Sequence, residues 1–199
     1  MRSVEKAYYE RRAAEYDDWW LGSGLFASRE RPGWDDEVQS LIEVVSALPT
    51  GRVLDVACGT AFLTRHLQGE VTALDQSEAM LALAAERLAG ARLVRAEVPP
   101  LPFPDGAFDR VFTSHFYGHL EERLRSEFAR ESRRVAGELV VVDSAVREGV
   151  PAESRQERVL KDGSRHLVYK RFFDPELLAA ELGGGEVLLA GDWFVAVRV

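Results

Sequence analysis

Apolar positions recur along this chain at two spacings, and the alternation between them sets the fold class. Short apolar runs at 53–56, 71–74, 93–98, 108–112 and 139–142 predict strands and their exits. Val38, Leu41, Ile42, Val45 and Leu48 fall on one face of a helix over 35–48. Met80, Leu81, Ala84 and Leu88 do the same over 77–88, where Ser77 can cap the first turn. Residues 122–135 predict a charged amphipathic helix, 175–182 a further helix, and 5–21 a leading helix dense in aromatic side chains at Tyr8, Tyr9, Tyr16, Trp19 and Trp20. A strand near 186–189 meets a last strand over 193–199 through Gly191-Asp192, and so tight a return makes the last strand antiparallel to its neighbour. The chain reads as α/β, with a mostly parallel sheet and an antiparallel terminal strand.

Chemistry concentrates at the turn after the first strand. The spacing there is Asp55-x-Ala57-x-Gly59-x-Ala61, followed by Asp75 at the tip of the second strand. Small residues let the backbone turn sharply and approach a ligand, and a carboxylate at a strand tip can accept both hydroxyls of a ribose. The pattern predicts a nucleoside site, with a helix starting between Phe62 and Leu67 whose N–H groups face the turn. A nicotinamide or flavin site would place three glycines as Gly-x-Gly-x-x-Gly, which this turn lacks. Because alanine disfavours positive φ, Ala57 and Ala61 are expected in ordinary backbone conformations.

The turn resembles motif I of the class I S-adenosylmethionine-dependent methyltransferases, usually Asp/Glu-x-Gly-x-Gly-x-Gly, with Ala at the first and last glycine positions. Three later segments match in order. They are Leu93-Val94-Arg95-Ala96-Glu97-Val98, the Leu101-Pro102-Phe103-Pro104 loop with its Phe108-Asp109 strand entry, and Thr113-Ser114-His115-Phe116-Tyr117-Gly118-His119-Leu120. The likeness is strongest toward the small-molecule branch, type 11-like, that includes ubiquinone and menaquinone biosynthesis enzymes.

That resemblance implies a Rossmann-like fold with a seven-stranded sheet and helices on both faces. It implies S-adenosyl-L-methionine as cofactor, S-adenosyl-L-homocysteine as product, and methyl transfer to a small-molecule acceptor by in-line displacement. Carried over by position, Ala57, Gly59 and Thr60 line the methionine and ribose side, with Cys58 packed within the motif and Asp55 supporting the turn. Asp75 takes the ribose diol, Gln76 and Met80 border the adenine ring, and Glu97 and Val98 flank its edge. Ser114 lies near the methionine end, over which Tyr16 closes. His115 and His119 are the candidate bases, since histidine titrates in the range that suits proton removal at neutral pH; His119 equally suits a structural role in its loop.

Composition narrows the partners. With 199 residues and 46% hydrophobic content the chain suits one domain. It divides into a helical lid (1–48), a cofactor core (49–145), a polar lid or insertion (146–173) and a terminal helix with hairpin (174–199). No stretch of apolar residues is long enough for a membrane span and the first residues lack a signal-type apolar region, so a soluble cytoplasmic protein is expected. A net charge of −8 argues against nucleic acid as partner. The single cysteine, Cys58, excludes an internal disulfide, and no metal-ligand spacing is visible, so no metal is expected. Residues 146–173 hold seven basic against four acidic side chains, as either a lid favouring an anionic acceptor or a solvated excursion, with a hairpin turn at Lys161-Asp162-Gly163-Ser164. The strand-four exit lacks Asp/Asn-Pro-Pro-aromatic, disfavouring amino methylation of nucleic acid, while O, N, C and S acceptors stay open, as does the oligomeric state. A non-catalytic cofactor-binding protein and a nicotinamide or nucleotide-sugar enzyme are the alternatives from other classes.

Overall fold

The computed structural model describes residues 3–199, with side chains from Ala7 onward; Met1 and Arg2 of the leading segment lie outside the described residues. In chain order the helices are α1 (Ser3–Arg12), α2 (Asp18–Leu21), α3 (Trp34–Ser46), α4 (Glu78–Arg87), α5 (Glu122–Val135) and α6 (Pro175–Glu181). The strands are β1 (Gly51–Val56), β2 (Gly69–Asp75), β3 (Arg92–Arg95), β4 (Phe108–Ser114), β5 (Ala136–Ser144), β6 (Glu153–Val159), β7 (Arg165–Arg171), β8 (Glu186–Ala190) and β9 (Phe194–Arg198).

Seven strands form one sheet in the order β3-β2-β1-β4-β5-β9-β8, parallel from β3 to β5, with β9 antiparallel to both its neighbours. Successive residues of β1 bury on opposite faces, Val53 with Leu41 and Val45 of α3, Leu54 with Phe128 and Val135 of α5. Both faces of the sheet are therefore covered, which is why its strands are nearly continuous apolar runs. Strands β6 and β7 pair only with each other, as an antiparallel hairpin over residues 153–171. Leu160 and Val168 of this hairpin pack on Tyr8, and Glu15 accepts the Lys161 backbone N–H at 3.1 Å, so the leading segment and the hairpin are fastened together. Among the described residues no helix is long and apolar enough to cross a membrane.

Three local expectations are corrected. The predicted leading helix is divided into α1, a 3-10 turn at Ala13–Glu15 and α2, which ends at Gly22 in the left-handed region. After motif I there is no α-helix, only a 3-10 turn at Thr64–His66. Register explains this. Gly51 pairs with Gly69, so the connection must retrace the whole of β1. Returning about 20 Å at a helical rise of about 1.5 Å per residue would consume the entire connection and leave nothing for the turn.

Ala57 and Ala61 adopt φ of 60° and 62°, contrary to expectation. Their neighbours dictate it. Cys58 N–H donates to Leu74 O at 3.0 Å, Gly59 N–H to Asp75 Oδ2 at 2.9 Å, and Ala61 N–H to Cys58 O at 2.9 Å. These bonds hold the loop against β2 at a strain of about 1–2 kcal/mol for each alanine.

Candidate functional site

The C-terminal ends of β1, β2 and β4 open onto a cleft with about 530 Å³ of empty space, open solvent included. Ala57 and Gly59 line it from the first loop, Asp75 and Gln76 from the tip of β2, Met80 from α4, Val98 from the segment after β3, and Ser114 and His115 from the exit of β4. Tyr9 and Tyr16 close it from the leading segment. A Cβ built on Gly59 would lie 3.5 Å from the Tyr16 ring, so that ring rests directly on the glycine.

Asp75 is 7% exposed and accepts N–H bonds from Gly59 and Ser77, both at 2.9 Å. Burial pushes its pKa up against the pull of those amides. The carboxylate lines the same cleft as the apolar side chains of Leu74, Met80 and Val98. A buried carboxylate beside an apolar slot fits a nucleoside, with the diol on the acid and the base between the side chains. The first N–H groups of α4 are already taken. Ser77 Oγ accepts from Met80 N, and Glu10 of α1 accepts from Glu78 N at 2.8 Å and Ala79 N at 3.1 Å.

Of the residues expected at the cofactor, Tyr16, Ala57, Gly59, Asp75, Gln76, Met80, Val98 and Ser114 come together in this cleft. Asp55, Cys58, Thr60 and Glu97 are not among its lining residues. Thr60 instead donates to Asp17 Oδ1 at 2.6 Å, and Arg87 bridges Thr60 O and Asp17, clamping the loop to the leading segment. Cys58 packs with Ala61, Ala73, Leu81 and Ala84, and burial pushes its thiol pKa well up, which leaves it inert. Glu97 is exposed at the margin. Tyr9, Leu74, Ala96 and Phe116 line the cleft without having been singled out for it, Tyr9 being visible in sequence only as one of several leading aromatics.

Asp55 lies beneath the loop, 2% exposed, with Thr64 Oγ1 donating to Oδ2 at 2.5 Å and Oδ1 buried without a partner. Burial foremost, with Asp75 nearby, pushes its pKa up to about 7 against the Thr64 hydrogen bond. A raised folded-state pKa contributes stability below the unfolded value near 4 that is lost as pH rises through about 7. Asp55→Asn is accordingly expected to leave stability at pH 4 nearly unchanged and to raise it at pH 8 by on the order of 3 kcal/mol, as read from urea midpoints at the two pH values.

A second cavity, with about 960 Å³ of empty space, adjoins the first; Tyr16 and His115 line both. The His115 backbone takes φ of 53°, and its ring lies edge-on to Trp19 at 4.7 Å and Trp20 at 5.1 Å. Its Nδ1 is 3.4 Å from Ser144 Oγ and 3.8 Å from Asp143 Oδ1, while Nε2 is buried with no partner. His119 Nδ1–H donates to Tyr169 O at 2.7 Å, which leaves the lone pair on Nε2. Burial drives the pKa of both rings down to about 3, outweighing the Asp143 carboxylate. The expectation that they titrate near neutrality is therefore corrected. Both are neutral at pH 7 and are weak bases in this state. Trp20 is a core residue, stacked on Phe62 at 4.6 Å, whereas Trp19 also lines the second cavity.

Residues 53–138 match a family profile described as a methyltransferase domain. A ubiquinone/menaquinone biosynthesis C-methyltransferase from Ectopseudomonas mendocina is 37% identical over 100 residues, 43% of this chain and 39% of that protein. A demethylmenaquinone methyltransferase from Desulfitobacterium hafniense is 37% identical over 89 residues, 39% of this chain and 34% of that protein. The chain thus spans well under two thirds of these curated relatives. A solved DhpI-SAM-HEP complex matches with a TM-score of 0.79 at 27% identity, over 98% of this chain and 95% of that one.

Proposed function

We propose that this chain, which carries the fold and the cofactor-binding core of the class I S-adenosylmethionine-dependent methyltransferases, transfers a methyl group to a small-molecule acceptor by in-line displacement. The observation that carries this reading is the meeting of two cavities at Tyr16 and His115, one suited to a nucleoside and the other to a second small molecule. When bound, the cofactor supplies a methyl group already activated on a sulfonium sulfur.

In this reading Asp75 accepts the ribose hydroxyls, and Met80 and Val98 hold the base. Tyr16, resting on Gly59, excludes water where the cavities join. His115 sits at that junction with an unpartnered Nε2, placed to hydrogen-bond an acceptor and orient it. His119 lines only the second cavity, with its ring fixed by Tyr169 O. Orientation of the acceptor can lower a barrier by up to about 7–11 kcal/mol, so these residues need only position the acceptor and exclude solvent. The test is calorimetric titration with S-adenosylmethionine and, separately, NADH. Micromolar binding of the first alone is expected, and no binding of it overturns the reading.

A further inference from the structure

Among the described residues six cations line the second cavity; Lys170 is paired with Asp143, and the other five, all arginines, have no carboxylate bound to them. Arg12 reaches it from α1, Arg29 and Arg31 from the loop before α3, Arg147 from the segment after β5, and Arg158 from β6. Among the described residues none of the five forms an ion pair with a carboxylate, whereas Arg155, Lys161, Arg165 and Arg171 of the same hairpin pair with Glu121, Asp18, Glu157 and Glu181. Among the described residues the only carboxylate in the lining is the exposed Glu30.

Neutral groups fix these guanidiniums instead. Arg31 donates to Trp19 O at 2.6 Å, Arg158 to Gln156 Oε1 at 2.7 Å, and Arg12 to the Tyr8 hydroxyl. Arg147 lies over the Trp193 ring at 4.5 Å, and Arg12 over Tyr16 at 4.9 Å, at the junction of the cavities. Stacking of this kind orients a guanidinium while leaving most of its five donors unused. Burial lowers the pKa of Arg31, Arg147 and Arg158; the carboxylates of Asp35 and Glu37 oppose it at Arg31 and Arg147, and the charges of Arg12 and Arg29 lower that of Arg158 further. A chain of net charge −8 has thus gathered five guanidiniums without a directly paired carboxylate in one cavity, where low-dielectric walls focus the field on an anion.

The guanidiniums approach from separate segments of the chain. A planar carboxylate is matched by one or two of them, whereas a tetrahedral oxyanion with three oxygens accepts forks from several directions. We infer that the acceptor is held in this cavity through a doubly charged oxyanion, the PO3 group of a phosphonate or phosphate monoester, an inference that rests on the methyl transfer proposed above.

The experiment saturates the protein with S-adenosylhomocysteine and titrates it calorimetrically with ethylphosphonate, ethyl phosphate, propionate and hydroquinone. Both PO3 compounds are expected to bind about tenfold or more tightly than propionate, and hydroquinone more weakly still. Arg147→Gln with Arg158→Gln should weaken ethylphosphonate about ten- to a hundredfold and leave S-adenosylhomocysteine affinity within about twofold; Arg158→Gln alone serves if the double variant does not fold. Propionate or hydroquinone binding as tightly as ethylphosphonate, or ethylphosphonate binding undiminished in the variant, overturns the oxyanion assignment. Failure of the wild type to bind S-adenosylhomocysteine overturns the methyl-transfer reading instead, and ethylphosphonate titrated into the cofactor-free protein then tests the cavity by itself.

Discussion

Lys170→Met is expected to destabilise the protein by about 3–5 kcal/mol at pH 7, measured by urea unfolding. Asp143, at the end of β5, is fully buried and accepts the Lys170 ammonium together with the backbone N–H groups of Gly118 at 2.7 Å and Ser144 at 2.8 Å. Burial alone would push the Asp143 pKa up; the Lys170 charge, then His115, outweigh it and hold the carboxyl below its usual value. Methionine keeps the packing and removes the charge, leaving a buried carboxylate that must protonate or remain unpaired. The site cannot relax around Gly118, where a Cβ would meet Arg171 O at 2.6 Å and Asp143 Oδ1 at 2.9 Å. Because its folded-state pKa is depressed, Asp143 contributes stability above the unfolded value near 4 that is lost as pH falls through the folded one. The variant should lack that acid limb, and Asp143→Asn added to Lys170→Met should recover most of the loss. A loss below about 1 kcal/mol for the single variant would show that the pair is not a buried charge partnership.

Asp75→Ala should weaken S-adenosylmethionine binding by about 1.5–3 kcal/mol, roughly ten- to 150-fold in Kd by calorimetry. Two effects act in the same direction. The substitution removes the acceptor for the ribose hydroxyls, and it releases the Gly59 N–H that holds the loop at 2.9 Å. Unchanged affinity would dispose of the ribose assignment, since among the described residues no other buried carboxylate lines that cleft.

Periodicity made most of the sheet legible. The helix expected over 122–135 is found as Glu122–Val135, and the hairpin expected around Asp162-Gly163 pairs from Glu153 with Arg171 to Val159 with Arg165. Local rules failed where distant groups decide the backbone. Alanine's preference against positive φ describes an isolated residue, whereas the loop at 57–61 is tied to Leu74 O and Asp75. The missing helix after motif I follows from the register between Gly51 and Gly69, a long-range fact. At the site, Asp75 and Gly59 were readable from spacing, but Thr60 answers to Asp17, which lies in a different segment. The histidines were found by position, while their titration depended on burial that sequence does not express. Arginines at 12, 29, 31, 147 and 158 form no motif, and only the folding of both flanks over the sheet brings them to one cavity.

Those flanks divide the molecule's inheritance. All five arginines lie outside residues 53–138, the stretch that matches the methyltransferase-domain profile; Arg12 and Arg158 enter on the fastened leading segment and hairpin, Arg29 and Arg31 on the loop before α3, and Arg147 on the segment after β5. In the proposed reading, the central stretch carries the donor chemistry and the outer stretches carry the choice of recipient. Grafting both flanks together onto a related core is the exchange that would move substrate preference as a unit.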